Sequence, residues 1–142
     1  MKSKKILIII PIVLIFVAIF SIEPTKKESN IVFHSTMADP KIYNNEIFTD
    51  SFLASKGGYM FRFVPNGSSP EILSITLVGK NYNFHEDFML KGIPHQTGIS
   101  EYYTWEYEGQ KDFTIFEDDE ISITINPNGN VKGSVSVDIL KI

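Results

Sequence analysis

The sequence predicts an all-β fold, an antiparallel β-sandwich of eight or nine strands preceded by one N-terminal transmembrane helix. Three observations predict it. From Ile31 onward, apolar and polar residues alternate with period two, the signature of strands with one buried and one wet face. Turn tripeptides rich in Pro, Asn and Gly interrupt that alternation at the short spacing of sandwich strands. Ahead of it, Ile6 to Ile22 runs without a single charged residue.

The first element is that apolar run. At ~1.5 Å per residue it spans about 26 Å as a helix, close to a hydrocarbon core of ~30 Å. No face of it is polar, which excludes an amphipathic core helix. No small-residue cleavage pattern closes it: Ala18 and Ser21 stand among bulky neighbours. Pro11 lies near its start, where a membrane helix tolerates proline. The expectation is a retained signal-anchor over residues 1–22. Lys2, Lys4 and Lys5 hold its start inside the cell, and everything that follows faces out. Residues 23–30 (EPTKKESN) form a solvated linker, and residues 31–142 the extracytoplasmic domain.

Within the domain the strands follow from the alternation. The clearest are Tyr59–Val64, Leu73–Val78, Tyr102–Tyr107, Ile121–Asn126 and Val135–Leu140; weaker ones lie at Ile31–His34, Phe48–Ala54, Tyr82–Leu90 and Asp112–Phe116. Lys56-Gly57-Gly58, Pro65-Asn66-Gly67, Val78-Gly79-Lys80, Glu108-Gly109-Gln110 and Pro127-Asn128-Gly129 separate them. The two Pro-Asn-Gly turns each follow a strand (FRFV and ISITIN), a hint of an internal repeat.

Charge and composition exclude several functions. Residues 1–30 carry five lysines against two glutamates, and residues 31–142 carry eight basic against fifteen acidic side chains. A domain of that sign repels phosphate backbones, so nucleic acid is not an expected partner. The absence of cysteine removes disulfides, thiolate metal sites and a thiol nucleophile. No cofactor is expected.

Over Gly57-Gly58-Tyr59-Met60-Phe61-Arg62-Phe63 the chain resembles the G-x-Y-x-F-x-F strand of GOLD-type sandwiches, the lumenal domains of cargo receptors. Arg62 stands where that family carries a disulfide cysteine, so the resemblance implies a sandwich and no function. As a whole the chain is similar to short membrane-anchored envelope proteins of archaea, which implies a location at the cell membrane.

Candidate sites are few. His85 and His95, near Glu86, Asp87 and Met89, are the residues that could hold copper or zinc if the fold joined them. Glu117-Asp118-Asp119-Glu120 could offer oxygens to calcium but lacks the register of a calcium loop, and reads instead as a solvated turn. The strand Tyr102-Tyr103-Thr104-Trp105-Glu106-Tyr107 carries the aromatics and acids with which sugar-binding sandwiches grip rings. Alternation places Tyr103, Trp105 and Tyr107 in the core and leaves Tyr102 outside. Asn66-Gly67-Ser68 is an N-x-S sequon in a turn, which permits glycosylation of Asn66. No nucleophile elbow or comparable motif points to catalysis.

The resulting expectation is a non-catalytic, membrane-tethered binding or structural module of the cell envelope, with an envelope protein or a glycan as partner. Its contact surface is expected in a long polar turn over residues 93–102, through Pro94, His95, Gln96, Thr97 and Tyr102. The alternatives are metal binding through His85 and His95, and carbohydrate binding.

Overall fold

The computed structural model describes residues 30–142. The expected membrane segment, and all of the linker except Asn30, lie outside the described residues. Nine strands follow in order: β1 (Ile31–Met37), β2 (Phe48–Ala54), β3 (Gly57–Pro65), β4 (Ile72–Val78), β5 (Asn83–Gln96), β6 (Glu101–Glu108), β7 (Asp112–Ile115), β8 (Asp119–Asn126) and β9 (Val135–Lys141). They form two antiparallel sheets, one of order β1-β9-β3-β7 and one of order β2-β8-β4-β5-β6. The single helical element among the described residues is the 3-10 turn Pro40–Ile42, and no helix there is long and apolar enough to cross a membrane.

Alternation chooses which side chains meet between the sheets. Tyr59, Phe61 and Phe63 of β3 and Val135, Val137 and Ile139 of β9 point inward from one sheet. Leu73, Ile75 and Leu77 of β4 and Ile121, Ile123 and Ile125 of β8 meet them from the other. The β-branched isoleucines of β8, with Ile75 of β4, suit a pleated surface buried on that side. Phe61 is the hub of the aromatic packing. Its ring lies 4.9 Å from Phe113 and 5.2 Å, edge on, from Phe88. Phe63 in turn meets Phe88 at 4.8 Å and Tyr107 at 5.1 Å, again edge to face. Such offset and edge contacts add about 0.5–1.5 kcal/mol per pair beyond area burial. The buried Tyr59 hydroxyl is satisfied by donating to the Ser55 carbonyl at 2.6 Å.

Register sorts the loops to two ends. Ile31 pairs with Leu140 and Tyr59 with Lys141, so the start of the domain lies beside its C-terminus. Lys141 Nζ donates to Ser55 Oγ and Asp118 accepts from the Lys56 N–H, which brings the 55–56 and 116–118 loops to that same end. Met37 and Pro65 both pair with Val135 at the other end. There Asn128 donates to the Ile72 carbonyl and Asn130 to the Ser68 carbonyl, tying the two Pro-Asn-Gly turns together. β3, with nine residues, sets the distance between the two ends at roughly 30 Å.

One element departs from the sequence expectation. β4 pairs only with Asn83–Met89 of β5, whereas β6 continues to pair with β5 as far as Gln96. Residues 90–96 and 101–107 therefore form a two-stranded arm beyond the end of β4. The segment 93–102, read from sequence as a long turn, is instead the tip of this hairpin. Its loop is only Thr97–Ser100, closed by Thr97 N–H donating to the Ser100 carbonyl at 2.9 Å, with Gly98 at a φ of +82°. Gly92 and Pro94 read as strand breakers but are tolerated here. One edge of β5 is open along the arm, so the N–H that proline lacks removes no bond from a second neighbour.

Candidate functional site

The arm is built by the same alternation as the core. Leu90, opposite Tyr107, is the last pair held between the sheets. On the same face follow Gly92 opposite Trp105, Pro94 opposite Tyr103, and Gln96 opposite Glu101. Past the end of the opposing sheet these side chains meet no facing layer. Trp105 is half-buried against the rim of the core, and Tyr103 is 47% exposed. The expectation that both are core residues is thus corrected: they lie on the core-facing side of β6, but the opposing sheet ends level with the Leu90–Tyr107 pair.

Along the open edge of the arm lies an open cleft of about 500 Å³, lined by Trp105, Tyr103, Gly92 and Lys91 on one side and by Ser69, Glu71 and Ile72 on the other. The second wall is the β3–β4 loop, fastened to the arm where Leu90 N–H donates to the Glu71 carbonyl at 2.7 Å. Gly92 is what lets the indole lie flat. A Cβ there would stand 3.2–3.3 Å from the Trp105 and Tyr103 rings, tighter than ordinary contact. The two rings lie 6.4 Å apart and 35° from parallel, an angled platform of two aromatic faces in a cleft that Glu71 also lines. A second cleft, of about 460 Å³, adjoins the first across Glu71 and Ile72 and continues to Asn128 and Asn130.

The five residues of the expected contact surface do not share one face. Pro94 and Gln96 lie on the cleft side of the arm. His95 and Tyr102 pair on the outer side, their rings stacked at 5.0 Å, and His95 Nε2 lies 2.7 Å from Thr104 Oγ1. Thr97 caps the hairpin loop, its hydroxyl donating to the Ser100 carbonyl at 3.0 Å.

His85 and His95, the expected metal pair, belong to the one continuous strand β5. Ten residues of strand separate them by roughly 33 Å, so they cannot share an ion. Among the described residues no three His, Asp or Glu side chains converge as a metal site. The acidic turn is engaged locally. Glu117 accepts from Asn81, Asp118 from the Lys56 N–H, Asp119 from the Lys80 N–H and Glu120 from the Ser51 hydroxyl.

A polar row on the outer face of the smaller sheet was not anticipated. His34, Asp138 and Arg62 are aligned across β1, β9 and β3. Asp138 is only 2% exposed. One of its oxygens lies 2.5 Å from His34 Nδ1, and the other accepts from Arg62 Nε at 2.9 Å and Nη2 at 2.5 Å. Burial alone would raise this carboxyl, but the hydrogen bonds from His34 and Arg62 outweigh it, and it sits below its ordinary range. His34 Nε2 faces Thr36 Oγ1 at 3.5 Å, a distance too long for an effective proton relay. No cleft opens beside the row among those described above. It works as a clamp for the edge strand β1, through which the chain enters the domain.

No known protein family matches this chain, and no curated protein or solved structure is detectably similar to it.

Proposed function

We propose that the chain is a non-catalytic binding module of the cell envelope, held at the outer face of the membrane by its N-terminal helix, and that it takes a carbohydrate in the cleft along the arm. The observation that carries this reading is the Trp105–Tyr103 platform. A half-buried Trp105 and an exposed Tyr103 line one wall of the cleft, and Glu71 and Ser69 line the facing wall. Sugar rings offer an apolar C–H face for such a platform and hydroxyls for a neighbouring carboxylate. The placement of the cleft supports the same reading. It opens at the end remote from Ile31, roughly a full strand length from the tether, where envelope ligands have access.

The test uses the full chain in detergent micelles. Trp105 is the only tryptophan, so its emission reports the cleft without interference. A glycan array identifies the ligand, and titration of that ligand then shifts the Trp105 emission. Trp105→Ala weakens binding by about 2 kcal/mol, roughly thirtyfold, as loss of a central aromatic anchor does. Indifference of the chain, free of any attached glycan, to every glycan offered, with the emission unmoved, overturns the carbohydrate reading.

A further inference from the structure

The turn that walls the cleft also holds the sequon. Asn66-Gly67-Ser68 is the only N-x-S or N-x-T sequence in the chain with a residue other than proline in the middle. Asn66 and Ser68 are exposed, at the same end as the arm. The Asn66 side chain is held in one orientation: its Oδ1 accepts from the Ser68 N–H at 3.0 Å and from the Ser68 hydroxyl at 2.8 Å. Its backbone N–H donates to the Ser134 carbonyl, and its carbonyl accepts from the Ser69 N–H, so the loop is pinned on both sides. Among the described residues Nδ2 takes part in no hydrogen bond and is left for other chemistry. Space around Gly67 is open, with no atom within 4 Å of where a Cβ would stand. Gly67 and Ser69 line the cleft that Trp105 and Tyr103 face.

From this juxtaposition we infer that Asn66 is a glycosylation site, and that the first sugars of its glycan lie in the adjoining cleft against Trp105 and Tyr103. The modification rests on the outward placement of the domain, and the docking rests on the cleft being a carbohydrate platform. In the transfer step Nδ2 of Asn66 attacks the anomeric carbon of a lipid-linked oligosaccharide. The new C–N bond replaces the C–O bond to the polyprenyl phosphate, which leaves with the electron pair, while the transferase takes one amide proton. Tethering the sugar beside the platform turns docking into an intramolecular event, in which a weak sugar–aromatic contact suffices for high occupancy. The attached glycan then competes with any ligand arriving from outside.

The experiment takes the full chain from the membranes of its own cells, alongside Asn66→Gln and Ser68→Ala variants. Tryptic peptide 63–80, bounded by Arg62 and Lys80, is weighed. A sugar mass on the wild-type peptide, lost in both variants, is expected; an unmodified wild-type peptide overturns the inference. Acrylamide quenching of Trp105 then reads the docking. It rises in both variants if the glycan covers the indole, and equal quenching in a glycosylated and an unglycosylated chain overturns the docking. The carbohydrate reading of the cleft is judged separately, by whether the uncapped Asn66→Gln chain binds glycans on the array. Its failure there leaves the mass result standing.

Discussion

β8 and the arm strand β6 are written in the same alternating pattern and end in opposite environments. Ile121, Ile123 and Ile125 are completely buried, whereas the matching face of β6 runs from a half-buried Tyr107 through Trp105 to a Tyr103 that is 47% exposed. The difference lies in what stands opposite. β8 faces the four-stranded sheet along its length, and β6 outruns that sheet after the Leu90–Tyr107 pair. Alternation selects a face; burial needs a second layer. Residue type differs accordingly, isoleucine where only packing matters and aromatic residues where one side meets water.

This contrast can be broken most forcefully at the core. Phe61→Ala removes the hub of the aromatic packing and is expected to cost about 4 kcal/mol in urea unfolding, within the range for buried phenylalanine. The second effect is on the outer clamp of β1. Asp138→Asn leaves His34 and Arg62 without their shared anion and is expected to cost about 2 kcal/mol near neutral pH. Its pH dependence follows from the depressed carboxyl. The stabilisation is complete above the ordinary carboxylate pKa and is lost as pH falls through the lower folded value. Unfolding of the native chain therefore steepens in acid below about pH 4, and Asp138→Asn flattens that limb. The smallest effect belongs to the arm. Ile99, at the hairpin tip, is 99% exposed, and Ile99→Ser is expected to change stability by less than about 0.5 kcal/mol.

Period-two alternation with turn punctuation locates nine strands, eight of them to within about three residues at each end, because both signals are local. The strand expected to end at Leu90 runs six residues further, because Gly92 and Pro94 are read as breakers wherever both edges of a strand are assumed to be paired. The site was legible only in part. The aromatic composition of β6 is legible in the sequence, but its exposure depends on where the other sheet stops, which one strand's pattern does not encode. The His34–Asp138–Arg62 row was invisible, since its members lie 104 and 76 residues apart and meet only through the pairing of β1 and β3 with β9. His85 and His95 illustrate the converse: close in sequence, they are kept apart by the straightness of the strand that carries them both.

The claim that the arm stands free of the two-layer core is tested most directly by amide hydrogen exchange on the full chain. Amides of β8 and β9 are expected to exchange only through global unfolding, while those of residues 91–96 and 101–105 exchange through local opening, faster by orders of magnitude. Equal protection of the arm and the core strands would contradict the account, because it would require a covering layer over Trp105 and Tyr103.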